Sequence, residues 1–260
     1  MTTIVEFEHK DHIGTITLNH KEKLNALSSE LVEGIIKALT EFRKQQVRAV
    51  VLRAKPGVKV WSAGHDVWEL PVDGRDPLGW DDPLRFLIRE IETFPAPIIA
   101  MIEGSVWGGA CETVFACDLI VASPSTTFAV TPARLGVPYN VSGVLTFFNA
   151  APYRLVKEMA FTAKPVSAQR AEQVGMINYV IDNDQIDDFT YEMAQGIAQN
   201  APLSISVMKD QLRILAGAHT MSPQGFERIQ GLRRVVYDSE DYREGIHAFK
   251  EKRKPVFVGR

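Results

Sequence analysis

A short apolar segment, followed by a glycine pair and the start of a helical pattern, constrains this chain more than any other feature. Residues 97–104, PIIAMIEG, are apolar, β-branched and too few to span a bilayer, so they predict a buried strand. Gly108 and Gly109 follow. Glycine lets the main chain approach a ligand closely, and the first amides of a helix have no internal acceptor. The segment therefore predicts either a tight strand-to-helix turn or a backbone site for an anion or oxyanion.

A second segment repeats this order of strand, glycine and polar turn. Residues 50–54, VVLRA, predict another buried strand, and a short loop separates them from residues 59–70, KVWSAGHDVWEL. Within the latter, the turn Ala63-Gly64-His65-Asp66 can present the His65 amide to the same pocket as the glycine pair. Two N–H donors from two different loops have the outline of an oxyanion hole.

The two turns together resemble a known signature. The motifs A-G-x-D, at 63–66, and G-G-x-x-E, at 108–112, are similar to those of the crotonase superfamily, also called the enoyl-CoA hydratase/isomerase family. The resemblance runs from the first hairpin to the last helix. It implies an α/β fold, a crotonase-like spiral of ββα turns followed by an all-α C-terminal trimerisation region. It also implies that the amides of His65 and Gly109 bind the thioester oxygen of an acyl-CoA.

Hydrophobic patterning predicts the elements of the core. Residues 4–19 alternate apolar and polar around a glycine-containing loop, which predicts a hairpin. Ser28 or Ser29 can cap a helix in which Leu31, Ile35, Leu39 and Phe42 keep a spacing of three to four. Residues 118–123 and 126–130 are expected to continue the sheet.

The character of the chain changes near residue 184. Before it, strand and helix patterns alternate, whereas after it four segments have helical spacing, with Pro202 and Pro223 near helix starts. We therefore predict a core with the acyl-CoA site over 1–183 and a helical oligomerisation subdomain over 184–260. The resemblance implies a homo-oligomer, either a trimer or a dimer of trimers.

The loop at 71–83 is rich in proline, glycine and aspartate. Long loops inside compact domains are often functional, so this one predicts either a flap over the acyl pocket that carries Trp80 or a surface excursion.

The resemblance also implies a set of substrate-binding residues. They are Leu24, Ala26, Ala63, Gly64, His65, Asp66, Val67, Gly109, Thr131, Phe249 and Lys252. Leu24 and Ala26 are expected at the adenosine end, and Phe249 and Lys252 are expected to reach the adenine and 3′-phosphate of coenzyme A bound to an adjacent subunit. Considered without the family, residues 24–27 are a connector and the basic tail at 250–254 is a solvated end.

Hydratases of this family use two glutamates, and only one of them is present. Glu112 matches the glutamate after the glycine pair, but residues 131–136, TPARLG, carry no carboxylate where the second is expected. Without paired carboxylates there is no obvious way to add and remove the protons of water, so hydration is not favoured. Glu112 is either a lone base or a polar helix residue paired with a neighbour.

Tyr139 follows in the segment Val137-Pro138-Tyr139-Asn140. A phenol with a pKa near ~10 is a neutral donor at pH 7, suited to an anionic substrate group; considered without the family, Tyr139 is a packing residue. Loss of CO₂ from a β-carboxy thioester requires an oxyanion hole and no base. The residues therefore favour decarboxylation of a β-carboxy thioester, and the resemblance implies that the substrate is methylmalonyl-CoA and the product propionyl-CoA. His65, Gly109, Tyr139 and Glu112 are the candidate catalytic residues.

Three other functions remain open from the sequence. The chain could be another acyl-CoA enzyme, an isomerase or thioester hydrolase that uses Glu112. It could be a non-catalytic acyl-CoA-binding protein, or one whose tail at 250–254 binds RNA.

Composition limits the partners. A net charge of −3 and 45% hydrophobic residues disfavour nucleic acid and disorder. The N-terminus has no basic and apolar leader pattern, and no apolar run approaches ~18 residues, so we expect a cytoplasmic protein without a membrane anchor. Cys111 and Cys117 are expected to be core residues. We expect no metal, and no cofactor beyond the coenzyme A of the thioester.

Overall fold

A computed structural model describes residues 3–260. The strands are β1 (Val5–Lys10), β2 (Ile13–Leu18), β3 (Ala49–Ala54), β4 (Val60–Ser62), β5 (Ile98–Ile102), β6 (Ser105–Trp107), β7 (Leu119–Ala122), β8 (Thr127–Ala129), β9 (Val166–Ser167) and β10 (Tyr179–Val180). The helices are α1 (Ser29–Lys44), α2 (Pro83–Thr93), α3 (Gly109–Phe115), α4 (Val141–Ala150), α5 (Tyr153–Thr162), α6 (Ala168–Gln173), α7 (Ile186–Gln199), α8 (Pro202–Ala216), α9 (Pro223–Tyr237) and α10 (Glu240–Lys250).

The strands form two sheets that the chain visits in turn. The larger sheet has the order β1-β2-β3-β5-β7-β10, and the smaller has the order β4-β6-β8-β9. Each of β3, β5 and β7 is followed by a short strand of the smaller sheet, and these neighbours pair in parallel. This alternation is the predicted spiral of ββα turns, and it confirms the α/β fold class.

One strand prediction was wrong. Residues 118–123 do continue the larger sheet as β7, but residues 126–130 form β8 of the smaller sheet. A turn lies between them, in which the Thr126 amide donates to the Ser123 carbonyl and the hydroxyls of these two residues lie 3.2 Å apart. This turn separates the two strands into different sheets.

Helix α1 forms as its apolar spacing predicts. Ser28 is the cap, since its hydroxyl accepts a hydrogen bond from the Leu31 amide at 3.4 Å. The four predicted apolar positions are buried against the larger sheet, together with Val5, Ile16 and Val50. Cys111 and Cys117 are also buried in this core, as predicted.

The four C-terminal helices have different packing. Helix α7 covers the other face of the larger sheet, where Ile186 and Ala194 pack with Ile99 and Met101. Helix α8 buries no residue. Helix α10 packs against the turn at residues 132–135. The division at residue 184 stays a prediction. In the described part of the chain, no helix combines the length and the apolar character that a membrane span needs.

Candidate active site

A cavity of about 1000 Å³ lies among five segments of the chain. They are the loop after β2, at residues 22–26, the turn after β4, the start of α3, the turn after β8 and the end of α10. Eleven of the thirteen residues predicted from the sequence line it. They are Leu24, Ala26, Ala63, His65, Asp66, Val67, Gly109, Thr131, Tyr139, Phe249 and Lys252. Gly64 and Glu112 are not part of its wall. The cavity therefore brings both signature turns to one place.

The turns meet because β4 and β6 are parallel neighbours, with Ser62 opposite Val106, so the loops after them leave the same sheet edge. Gly64, at φ +87°, adopts a left-handed conformation that favours glycine. A Cβ placed on Gly109 would lie 3.3 Å from the His65 nitrogen, and one on Gly64 would lie 2.9 Å from the Gly109 nitrogen. The two amides are therefore adjacent.

Both amides are free to bind a ligand. Within residues 3–260, neither the His65 nor the Gly109 N–H donates to another atom of the chain. Gly109 is the first residue of α3, where N–H groups have no intrahelical acceptor, and its cap Gly108 offers no side chain. Two unpaired N–H groups beside one cavity can stabilise a single oxyanion.

Tyr139 lines the same cavity and has a buried hydroxyl. This oxygen has no hydrogen-bond partner among the described residues, and the ring packs edge-to-face on Phe147, with centroids 5.0 Å apart. Burial, reinforced by the negative charge of Glu112, raises the pKa of Tyr139 well above 10. The side chain therefore remains a neutral phenol that can donate one hydrogen bond.

Glu112 lies behind the cavity wall. Its carboxylate is fully buried and forms an ion pair with Nη1 of Arg85, which is the pairing with a neighbour that the sequence left open. Burial outweighs the attraction of Arg85 and raises the pKa of Glu112 to about 7. Its Oε2 has no partner within residues 3–260. The catalytic role predicted for Glu112 stays a prediction.

The sequence did not indicate a role for the His65 side chain. The imidazole lies between Asp82, 3.0 Å from Nε2, and the Asp66 carbonyl, 3.1 Å from Nδ1. Asp82 stands directly before Pro83, a pattern typical of a helix start, and it caps α2 through the Leu84 amide. That pattern reveals the cap, but no spacing in the sequence indicates the contact with His65.

The end of α10 and the residues after it lie at the cavity. Phe249 and Lys252 line the cavity of their own chain, and their reach to coenzyme A on an adjacent subunit stays a prediction. A small apolar cluster holds α10 there, in which Tyr242 and Ile246 pack with Val67. The Tyr242 hydroxyl also donates to the Pro71 carbonyl at 2.7 Å.

The basic tail is folded at the mouth of this cavity. Lys250 lies over the exposed ring of Trp68, 5.2 Å from its centroid. Arg253 pairs through both terminal nitrogens with the two carboxylate oxygens of Glu244. Two of the four basic side chains at 250–254 are therefore held against the body of the chain.

The loop at 71–83 contributes Leu78 to the wall but not Trp80. Trp80 is 74% exposed and lies against the Arg89 guanidinium, 4.0 Å from the ring centroid. Asn140, the residue after Tyr139, holds the loop in place, since its Nδ2 donates to the Leu78 carbonyl at 2.8 Å. Neither prediction describes the loop fully: Leu78 contributes to the cavity wall, so the loop is more than a surface excursion, but Trp80 lies outside the cavity.

Comparison with known proteins finds relatives that are named as enzymes of coenzyme A derivatives. The chain matches the family described as Enoyl-CoA hydratase/isomerase over residues 8–260. It is 52% identical over 247 residues to methylmalonyl-CoA decarboxylase of Escherichia coli K12, covering 95% of each chain. It is 32% identical to carnitinyl-CoA dehydratase of Salmonella paratyphi B, covering 94% of each. The solved structure of methylmalonyl-CoA decarboxylase complexed with 2S-carboxypropyl-CoA is 50% identical, with complete coverage of both chains and a TM-score of 0.97.

Proposed function

The chain belongs to the enoyl-CoA hydratase/isomerase family, and within it we propose that the protein is a carboxy-lyase that converts methylmalonyl-CoA to propionyl-CoA and CO₂. The relative at 52% identity carries that activity in its name, and a solved neighbour is a methylmalonyl-CoA decarboxylase complexed with 2S-carboxypropyl-CoA. The reaction is the one expected from the sequence.

One observation carries the proposal: two unpaired amides share a cavity with a neutral phenol. In the described part of the chain, the carboxylates on the cavity wall are Glu22 and Asp66. Asp66 is already engaged by the Trp68 amide at 3.0 Å and by Lys23 at 3.6 Å. The wall thus offers donors for an anion and no free pair of carboxylates for moving the protons of water.

Decarboxylation suits these groups because it generates its own carbanion. The bond between the α carbon and the carboxylate carbon breaks, CO₂ leaves, and the electron pair moves into the thioester to form an enolate. The amides of His65 and Gly109 stabilise the enolate oxygen, each contributing about 3 kcal/mol by analogy with other oxyanion donors. The α carbon then takes up one proton, which yields propionyl-CoA.

Tyr139 orients the substrate carboxylate in this proposal. A neutral hydroxyl donor can hold the carboxylate perpendicular to the thioester plane, so that the breaking bond overlaps the carbonyl π system. The surrounding wall is apolar at Val67, Leu84 and Val137. Such a wall disfavours the charged carboxylate relative to neutral CO₂.

The second candidate is an isomerase or thioester hydrolase that uses Glu112. The raised pKa of Glu112, to about 7, is suited to an acid or base near neutral pH. Its ion pair with Arg85 and its place behind the wall disfavour direct contact with substrate.

A substrate panel separates the two candidates. Purified protein is incubated with methylmalonyl-CoA, malonyl-CoA and crotonyl-CoA, and the products are identified by mass. We expect propionyl-CoA and CO₂ from the first and no product from crotonyl-CoA. Hydration or isomerisation of an enoyl-CoA without any release of CO₂ would contradict the proposal.

The remaining features concern the setting of the reaction. We propose that the protein needs no cofactor beyond the coenzyme A of its substrate, acts in the cytoplasm and assembles as a trimer or a dimer of trimers. The support for assembly is helix α8, whose side chains Leu203, Val207, Leu212 and Leu215 are all more than half exposed.

A further inference from the structure

The His65 imidazole is held between two hydrogen-bond acceptors. Its Nδ1 lies 3.1 Å from the Asp66 carbonyl oxygen and its Nε2 lies 3.0 Å from Oδ2 of Asp82. A carbonyl oxygen cannot donate, and neither can an ionised carboxylate. If Asp82 is ionised, both ring nitrogens must carry protons, and the ring is an imidazolium.

The two carboxylate oxygens of Asp82 have different partners. Its Oδ1 accepts the Leu84 amide at 2.9 Å, as the cap of α2. A carboxylate at a helix N-terminus is stabilised by unpaired N–H groups and by the helix dipole. Burial lowers the pKa of His65, but the hydrogen bond and charge of Asp82, with a smaller contribution from the Asp66 carbonyl, outweigh it and raise the pKa.

The other charges around the ring leave Asp82 as its partner. The Asp66 carboxylate is directed to the Trp68 amide and to Lys23. Glu69, on the following turn, accepts from the amide and hydroxyl of Ser29. Asp82, reaching in from α2, is the carboxylate that bonds to the imidazole.

The other oxygen of Asp82, Oδ1, is linked to the Gly109 side of the oxyanion hole through Leu84. It fixes the amide of Leu84, whose side chain lines the cavity. A Cβ placed on Gly109 would lie 2.7 Å from Cδ2 of Leu84, so this side chain packs directly on the glycine. One carboxylate therefore hydrogen-bonds to the His65 side chain on one side of the oxyanion hole and to the Leu84 amide on the other.

We propose that Asp82 is the positioning residue of the oxyanion hole: it fixes His65 as an imidazolium with one oxygen and Leu84 against Gly109 with the other. This inference rests on the proposed decarboxylation. The two amides keep the spacing that an enolate oxygen requires, and the imidazolium adds a positive charge beside the developing enolate. Asp82 itself does not line the cavity.

The test compares Asp82→Asn with Asp82→Ser and a control. Asparagine and serine are both good helix caps, so each variant keeps the start of α2 but removes the charge beside His65. Asp81→Asn makes the same change at the exposed neighbouring residue. For each protein, kcat and KM for methylmalonyl-CoA are measured, together with ¹⁵N shifts of the His65 ring, assigned with a His65→Gln variant.

We expect Asp82→Asn to lower kcat about ten- to hundred-fold with little change in KM, because misplaced donors weaken transition-state binding. The parent ring should carry two protons at pH 7 and the Asn ring only one. Asp81→Asn should match the parent. If Asp82→Asn folds poorly, Asp82→Ser takes its place and should show the same loss of kcat and the same singly protonated ring.

Two results would overturn the inference: a singly protonated His65 in the parent at pH 7, or parental kcat in a folded Asp82 variant. The ¹⁵N measurement needs no substrate. A parent protein that does not decarboxylate methylmalonyl-CoA would therefore contradict the proposed function, while the spectrum still decides whether Asp82 holds an imidazolium.

Discussion

The hydroxyl of Tyr139 is a buried polar atom without a partner in residues 3–260, and such atoms cost stability. We predict that Tyr139→Phe lowers kcat/KM for methylmalonyl-CoA about ten- to hundred-fold, since one hydrogen bond to a charged group contributes about 1.5–3 kcal/mol. The melting temperature should stay the same or rise slightly. Steady-state kinetics and thermal unfolding measure the two effects.

Tyr179→Phe is the matched control, because that tyrosine is 43% exposed and outside the cavity. It should change neither quantity. If Tyr139→Phe keeps parental kinetics, Tyr139 is only a packing residue and the assigned role in orienting the carboxylate is wrong.

Gly109 gives a test of the backbone donor. Gly109→Pro deletes the N–H and should abolish turnover, whereas coenzyme A binding should be largely retained. Gly109→Ala keeps the N–H but places a Cβ 2.7 Å from Leu84 and 3.3 Å from the His65 nitrogen, so it should also lower kcat. Both are assayed beside Gly196→Ala, where a Cβ meets nothing within 4 Å. Parental turnover in a folded Gly109→Pro protein would remove the oxyanion-hole assignment.

Glu112 gives a prediction about pH. Its folded-state pKa is raised from 4.5 to about 7, chiefly by burial, so the folded protein binds more protons than the unfolded chain between these values. The free energy of unfolding contributed by Glu112 is therefore fully present below pH 4.5 and is lost as the pH rises towards 7. Denaturant titrations of Glu112→Gln across this range should lack that decline.

The same variant tests the chemistry. We expect Glu112→Gln to keep kcat for decarboxylation, because its carboxylate is paired with Arg85 behind the cavity wall. Glu158→Gln, at an exposed pair with Arg170, serves as the control. A Glu112→Gln protein that is folded but inactive, beside an active Tyr139→Phe protein, would favour a carboxylate base and the isomerase or hydrolase reaction.

The sequence predicted the backbone donors but not the side chains that support them. His65 and Gly109 could be found because strand, glycine and polar turn recur as local patterns. The contacts of Asp82 with His65 and of Arg85 with Glu112 join residues far apart in sequence, and no periodic pattern in the sequence indicates them. Such partners depend on how loops and helices meet, which local propensity does not determine.

At the scale of elements, helix α10 shows a similar limit. Its helical spacing was predicted, but an amphipathic pattern does not say whether the apolar face packs on its own chain or on a neighbour. Here Tyr242 and Ile246 close a cluster with Val67 and Leu70 of the same chain. The strand at β8 was assigned to the wrong sheet for a related reason, because a short apolar run does not specify its partner strand.

Removing α10 tests its place in the site. Truncation after residue 238 removes Phe249 and Lys252 from the cavity wall and exposes the cluster around Val67. We predict weaker coenzyme A binding, measured by calorimetry, and a lower melting temperature. Lys252→Ala alone should weaken binding modestly and leave kcat nearly unchanged, because one exposed phosphate contact contributes little. A truncated protein with parental affinity would show that α10 does not form the site.

At the scale of the whole molecule, helices α7 and α8 differ in what covers them. Helix α7 lies on the larger sheet, with Ala194 and Ala198 buried. Helix α8 is joined to the core by Lys209, whose Nζ donates to two carbonyls and to Asp118 at 2.7 Å. Its leucines and valine face outward and leave an apolar surface that a second copy of the chain can cover.

We predict that Val207→Lys with Leu212→Lys disperses the assembly, because each lysine places a charge in an apolar interface. Sedimentation velocity should give a multiple of 29.0 kDa for the parent and 29.0 kDa for the variant. Gln195→Lys with Gln199→Lys adds the same charge at exposed polar positions of α7 and should leave the mass unchanged. A monomeric parent, or a variant with the parent's mass, would show that α8 is not the interface. Because each cavity is completed by its own α10, a dispersed but folded variant should still bind coenzyme A.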